Sequence, residues 1–382
     1  MTPARAEPTI TIDVLVVGLG PAGAAAAAEA AAQGLSVLAV ERNAEPGMPV
    51  QCAEFVPMMI GTELPDMGTS RIQKIDSMAT VIEEGAPFIT ADFRGYMIDR
   101  ARFDQHLIAR AKAAGADCRF ASPVRSLDRD GCAVIGNGLT VKPKIVIGAD
   151  GPRSAVGRAI GAENIDLVET RQISVDLTEE YSATDIFLHR DIVGGYAWLF
   201  PRGRICNLGL GVIGERKSRL KPLLDVLHAQ LVAEGRVGRE IHRHTGGLIP
   251  VGGMVGPVGR LGATSVLLAG DAAGLTNPIT GAGIASAVMS GRMAGAAAAA
   301  LLDGDAGAIA DYAEELADIF GPSLRLALRR RRAILSRYKD GGQPEACDMR
   351  DAWIAFPQYW SREAEDALPP SVNRTVGAMQ PL

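Results

Sequence analysis

The chain has 382 residues, 47% of them hydrophobic and 5% aromatic, and a formal net charge of −5. That apolar share supports a large core and excludes a disordered chain, and the length allows two domains or one with insertions. The acidic balance argues against nucleic acid as a partner. Five scattered cysteines, without Cys-x-x-Cys or Cys/His spacing, argue against a metal site and predict a reduced, cytoplasmic setting.

In chain order, the short polar stretch 1–8 is not expected to be a signal peptide. Residues 10–17 form an apolar segment that ends in Gly18-Leu-Gly20-Pro21-Ala22-Gly23. An Ala-rich helical stretch covers 24–33, and a second apolar segment, 35–40, ends at Glu41. This is strand, tight turn, helix, strand, acid. Gly18 allows the sharp turn, Gly20 lets the backbone approach a pyrophosphate, and Gly23 lets the helix pack on the strand. The helix N-terminus presents free N–H groups and a positive dipole end to phosphates. Glu41 stands where a carboxylate accepts hydrogen bonds from an adenosine ribose. An acid there disfavours a 2′-phosphate, so the nucleotide is FAD or NAD rather than NADP.

Residues 42–49 read as a loop, followed by Cys52-Ala53-Glu54-Phe55-Val56-Pro57. Alternation within 60–97 predicts short strands, as at 79–82 and 88–93. A helix from about 98 to 114 opens with Arg100-x-x-Phe103-Asp104. Strand-like runs lie near 118–125 and 132–135, and a buried strand over 144–148 ends in Asp150-Gly151. Antiparallel strands are read at 172–177, 185–189, 195–200 and 206–212, then a polar helix over 217–234. A strand at 265–269 ends in Gly270-Asp271. A small-residue helix spans 283–302 and a basic one 323–338. No apolar run reaches the roughly 20 strongly apolar residues of a membrane span. Beyond 341 no period is clear. The nucleotide-binding pieces recur at 10–50, 98–170 and 255–310. Residues 51–97 and 171–254 read as an inserted substrate domain, and 311–382 as a helical C-terminal region and tail.

Several side chains carry two readings each. Asp271, at the end of a strand, can contact a cofactor or cap a helix. Arg100 can contact phosphate or ribose, or pair with Asp104. Tyr196, Trp198 and Phe200 fall on one strand face, as a substrate slot or as sheet core. The basic helix is a peripheral contact with an anionic membrane or a solvated face packed on the body.

The Gly-x-Gly-x-x-Gly turn, the Arg100 stretch, Asp150-Gly151 and Gly270-Asp271 resemble, in order, the fingerprints of the p-hydroxybenzoate hydroxylase-type flavoprotein superfamily. A finer resemblance is to the geranylgeranyl reductase family. Tyr196-Ala-Trp198-Leu-Phe200-Pro201 is similar to its YxWxFP signature, Cys52-Ala-Glu-Phe55 to its cysteine segment, and Gly270 through Pro278, Gly281, Gly283 and Ile284 to its third motif.

The resemblance implies an α/β fold: a Rossmann-type FAD-binding domain (three-layer ββα), an inserted antiparallel-sheet substrate domain and a helical C-terminal region. It implies FAD as cofactor, with contacts expected from Gly18, Gly20, Pro21, Ala22, Gly23, Glu41, Arg42, Cys52, Ala53, Arg100, Asp150 and Gly151. In the third segment they are expected from Gly270, Asp271, Pro278, Gly281, Ala282, Gly283 and Ile284, where helix N–H groups face the flavin edge that gains negative charge on reduction. Phe55, Tyr196, Trp198 and Phe200 are the expected substrate residues. The implied reaction is hydride transfer from flavin N5 to a C=C bond of a polyprenyl or other apolar substrate, with Cys52 as proton donor or pocket gate. With no second dinucleotide fingerprint, the electron donor, whether NAD(P)H, ferredoxin or another, binds transiently. Phe55 departs from the commoner family form, which has a small glycine there, and so narrows the cavity. The same scaffold serves flavin monooxygenases, and the halogenase pattern WxWxIP lies close to YxWxFP. The rival reading is therefore oxygenation or halogenation through a C4a-hydroperoxide on an aromatic or peptidyl substrate such as a tryptophan side chain. A flavin-bound assembly partner is the non-enzymatic alternative.

Overall fold

The computed structural model describes residues 9–58, 67–136 and 138–361. The stretch 1–8, part of the predicted 60–97 strand region and the tail from 362 lie outside them. The elements begin β1 (Thr9–Val17), α1 (Pro21–Ala32), β2 (Val37–Val40), β3 (Phe55–Pro57), β4 (Arg71–Ile82), β5 (Phe88–Ile98), α2 (Arg100–Ala113) and β6 (Asp117–Arg119). Next come β7 (Val124–Leu127), β8 (Ala133–Ile135), β9 (Leu139–Gly148), α3 (Ala155–Ala159), β10 (Leu167–Leu177), β11 (Ala183–Leu188), β12 (Ala197–Arg202) and β13 (Ile205–Ile213). The chain continues with α4 (Leu220–Ala233), β14 (Val237–Thr245), β15 (Leu248–Pro250), β16 (Val258–Leu261), β17 (Thr264–Leu268), α5 (Ile284–Leu302), α6 (Ala308–Ser336), α7 (Ala346–Asp351) and α8 (Pro357–Trp360).

The first sheet has the order β16–β17–β9–β1–β2–β6, with β8 and β7 joining at β9. From β17 to β6 all pairs are parallel. Val14 to Val17 and Val37 to Val40 are buried without alternation, as strands covered on both faces are. On one face α1 and α5 lie side by side. A side chain at Gly291 or Gly295 would run into the carbonyl oxygens of Ala22 or Ala26, so the two backbones approach as only glycine permits. By length and composition α5 would also pass for a membrane span. Here its small-residue stripe, including Ala287, Ala294 and Ala298, is core against α1.

The second sheet runs β14–β10–β13–β12–β11–β4–β5–β3, with β15 on β10. It gathers strands from both inserted stretches. They join at β4 and β11, which pair in parallel from Ser77↔Ala183 to Ile82↔Leu188, inside a sheet otherwise antiparallel. β4 and β5 are far longer than the short strands read from sequence. The run read at 118–125 is two strands, since β6 pairs with β2 and β7 with β8. One face of the sheet packs on α4, with Ala197, Leu199, Leu208 and Leu210 against Leu220 and Leu224. Alternation turns Trp198, Phe200, Asn207 and Gln172 to the other face, toward the first sheet.

The basic helix is longer than predicted and runs through Pro322. Its buried stripe of Tyr312, Leu316, Leu324 and Ala327 continues across the proline, which lies on the exposed side. Packing there outweighs the lost backbone bond. Two of its consecutive arginines point inward: Arg330 and Arg331 are buried and donate to backbone carbonyls.

Candidate active site

A cavity of about 390 Å³ lies between the two sheets. At one end it begins at the glycine turn. Gly18 has φ +95°, and a Cβ there would strike the Ala149 carbonyl, so only glycine fits the turn. A Cβ on Gly23 would overlap the Gly18 oxygen, whereas the space beside Gly20 is open. Gly20, Pro21 and Ala22 line the cavity, where the first N–H groups of α1 have no intrahelical partner. Glu41 braces the turn: Oε2 accepts from the Leu19 N–H at 3.1 Å and Oε1 from the Asn43 N–H at 2.9 Å.

The middle of the cavity is bordered by Gly151, Asp271, Gly281, Ala282, Gly283 and Ile284. Asp271 Oδ1 accepts from Thr276 Oγ1 at 2.6 Å, and burial pushes its carboxyl up. Gly283 caps the start of α5, so the positive end of a 19-residue helix opens there. Not all expected cofactor contacts line the cavity. The Asp150 carboxylate turns away and accepts from Ser154 Oγ and the Ala155 and Val156 N–H groups at the start of α3. Gly270, at φ +60°, is a spacer whose absent side chain leaves room for Ala22 and Ala287. Pro278 gives its carbonyl to Arg331, and Arg42 is exposed.

At the other end the walls become apolar. Trp198, Phe200 and Tyr196 are joined there by Phe55, Met78, Phe93, Ile186 and Trp353. The Tyr196 hydroxyl donates to the Thr280 carbonyl at 2.6 Å, and Trp198 Nε1 to Gln172 Oε1 at 2.9 Å. The aromatic motif is thus both a cavity wall and part of a buried cluster with Met349 and Phe356. Phe55 lies 5.6 Å from Phe93 and 5.8 Å from Phe200 by ring centroid. Its ring occupies the space that a side chain at Gly95 would need. The bulky residue is therefore seated on the sheet, where it forms one wall of the slot.

Cys52 and Arg100 stand where the two ends meet. Burial raises the Cys52 thiol, while the Arg100 guanidinium and the Glu54 N–H, which donates to Sγ at 3.2 Å, favour the thiolate. Arg100 does pair with Asp104, Nε to Oδ1 at 2.7 Å, yet the pair lies inside and Arg100 borders the cavity. Glu54 was not foreseen. It adopts φ +68°, is 1% exposed, and accepts from the Arg100 N–H at 3.0 Å and Asn207 Nδ2 at 3.0 Å. That network fixes the Cys52 loop to both α2 and β13. Gln172 was also missed; its Nε2 donates to the Cys52 carbonyl at 3.2 Å. An acid directly before the apolar Phe55–Pro57 strand and an amide inside the apolar β10 were the available signals. Among the described residues no group of three or more His, Cys, Asp or Glu side chains is arranged for a metal ion.

Residues 167–248 match the model of the geranylgeranyl reductase catalytic domain, and residues 13–75 that of an FAD-binding domain. The chain is 36% identical over 314 residues to digeranylgeranylglycerophospholipid reductase 1 of Methanopyrus kandleri, covering 77% of this chain and 82% of that one. This chain belongs to the geranylgeranyl reductase family. Like other members it is an FAD-dependent oxidoreductase. The fold agrees with a geranylgeranyl bacteriochlorophyll reductase-like protein from Thermoplasma acidophilum: TM-score 0.78, 27% identity, covering 92% and 98% of the two chains. A flavin-dependent brominase shares the fold at TM-score 0.68 and 17% identity, over 86% of this chain and 88% of that one. A likeness that distant speaks for the scaffold and not for its chemistry. The glycine cradle, the braced Glu41 and the open N-terminus of α5 all fit FAD.

Proposed function

We propose that this reductase saturates C=C bonds in the polyprenyl chains of a lipid. The observation that carries the reading is the continuity of the cavity. An apolar slot walled by Tyr196, Trp198 and Phe200 opens directly onto Cys52 and the N-terminus of α5. The relative in Methanopyrus is named for a digeranylgeranyl glycerophospholipid, a substrate whose chains suit such walls.

Gly20, Glu41, Arg100, Asp271 and the Gly281–Gly283 turn would hold the cofactor, Glu41 by accepting from its ribose hydroxyls and Asp271 from those of its ribityl chain. FAD, once bound and reduced, would supply a hydride, that is two electrons and one hydrogen, to one carbon of the double bond. Tyr196, Trp198 and Phe200 hold the chain flat and exclude water. Cys52 Sγ gives its proton to the other carbon of the double bond. The thiolate left behind is stabilised by the Arg100 charge and the Glu54 N–H, and regains a proton from water. The electron donor binds transiently, and the enzyme meets its substrate at the surface of a membrane from the cytoplasmic side.

The test is anaerobic incubation of dithionite-reduced holoenzyme with a polyprenyl lipid, followed by product mass. A gain of two hydrogens per bond is expected. A flavin that stays reduced under argon with every lipid, yet gives an oxygenated product in air, would replace this reading with oxygenation.

A further inference from the structure

A second, smaller cavity of about 50 Å³ lies behind the slot. Its walls are mostly apolar, with Leu188, Ile192, Ile279, Ile334 and Met349, and His189 and Tyr338 also border it. It is large enough for the end of a hydrocarbon chain and too small for a ring or a headgroup. Arg331 also borders it, but its Nη1 donates to the Gly194 and Pro278 carbonyls, which leaves the aliphatic stem to face the space.

Among the described residues, Tyr196 and Trp353 alone border both cavities. Their rings meet edge to face with centroids 4.8 Å apart. The two are held differently. Tyr196 is tied through its hydroxyl to the Thr280 carbonyl. Trp353 is 3% exposed, and its Nε1 has no hydrogen-bond partner among the described residues. The indole is kept in place by packing alone, on the short stretch between α7 and α8.

We propose that Trp353 is a partition that sets the length of prenyl chain the enzyme accepts. With the indole against Tyr196, a chain ends in the slot. With the indole displaced or shortened, slot and second cavity become one channel and a longer chain fits. This inference rests on the proposed polyprenyl substrate.

The experiment measures binding to oxidised holoenzyme, read by perturbation of the flavin absorbance. The probes are all-trans prenyl phosphates of two, three, four and five isoprene units and their saturated counterparts. Trp353→Ala is expected to move the length optimum up by one unit, with roughly tenfold tighter binding of the longer chain relative to the shorter, as a few buried methylenes give. Adding Ile334→Phe, which refills the second cavity from α6, should return the wild-type ranking. If Trp353→Ala does not fold, Trp353→Leu opens the same gap with less volume lost. An unchanged ranking in a folded variant overturns the partition while leaving the polyprenyl reading intact. Failure of the wild type to bind a prenyl chain of any length overturns both.

Discussion

Gln172 joins Trp198 to the Cys52 loop. Its Oε1 accepts the indole N–H at 2.9 Å and its Nε2 donates to the Cys52 carbonyl at 3.2 Å. One amide thereby fixes the substrate wall relative to the proposed proton donor. Gln172→Leu strands a buried indole N–H and frees the loop. A stability loss of about 1–3 kcal/mol is expected from the unpaired donor, together with slower turnover at normal flavin content. Thermal unfolding and single-turnover flavin reoxidation check the two effects. A variant with wild-type turnover would show that the link does not position Cys52.

Cys52→Ser should slow anaerobic alkene reduction by roughly 10²-fold, the lower range for loss of a general acid, while FAD stays bound. Because burial raises the thiol, the folded protein keeps this proton where an unfolded chain would release it. Proton donation should therefore be flat from about pH 6 to 8 and decline only above the ordinary thiol value of about 8.5. The sign for stability follows: this contribution is full below that value and is lost as pH rises through the folded value. Rate against pH for wild type and Cys52→Ser is the measurement, and an alkaline limb that survives in the serine variant would acquit the thiol.

Asp271→Ala is expected to lower flavin occupancy. The carboxyl is buried, and Thr276 Oγ1 is its side-chain hydrogen-bond donor in the protein. Among the described residues its other oxygen accepts no hydrogen bond, which leaves it for ribityl hydroxyls. The purified wild type should be yellow with FAD released intact by heat. The ratio of absorbance at the flavin band to that of the protein gives the loss, and equal ratios would show that Asp271 serves the turn and not the cofactor.

Arg330 secures the segment that carries Trp353. It donates to the Tyr359 carbonyl at 2.9 and 2.7 Å and to the Gln358 carbonyl. Arg330→Leu takes the donor from the Tyr359 carbonyl, while Ser361 still serves the Gln358 carbonyl, and should cost about 1.5–3 kcal/mol, as bonds from a charged donor do. Limited proteolysis should then cut within 342–361 faster than elsewhere. Wild-type resistance there would mean that packing of Phe356 and Tyr359 suffices.

The nucleotide half was legible because its signals are local. Gly18, Gly20, Gly23 and Glu41 lie within one strand–helix–strand unit, and each residue type answers a steric or charge demand of its own turn. The slot was legible only as far as one strand, where Trp198 and Phe200 alternate in β12 and Tyr196 directly precedes it. Trp353 closes it from a stretch without periodicity, so nothing in its neighbours announces the contact. β14 was missed because Arg239, Glu240, Ile241 and His242 are all exposed at a sheet edge, and no apolar alternation marks it. The run of arginines in α6 reads as a solvated face. Arg330 and Arg331 turn inward because distant carbonyls at Tyr359, Gly194 and Pro278 receive them, and such partners leave no trace in the local sequence. Asp150 shows the opposite limit: the motif was visible, but its carboxylate is used to start a helix.

The parallel pairing of β4 with β11 also bears on the order of assembly. The β4–β5 hairpin leaves the ribosome about a hundred residues before the strand that covers its inner edge, and β6 through β9 of the other sheet are made in between. Neither sheet can be finished from a continuous piece of chain, so each half must wait for the other, a long-range requirement that slows folding. A chain stopped shortly after β10 would carry β4 as a bare edge with Ile75, Met78 and Ala79 uncovered, a surface open to pairing with another copy. Interrupted synthesis of this enzyme is thus expected to yield aggregates, and cutting the gene between the two sheets will not give two stable halves.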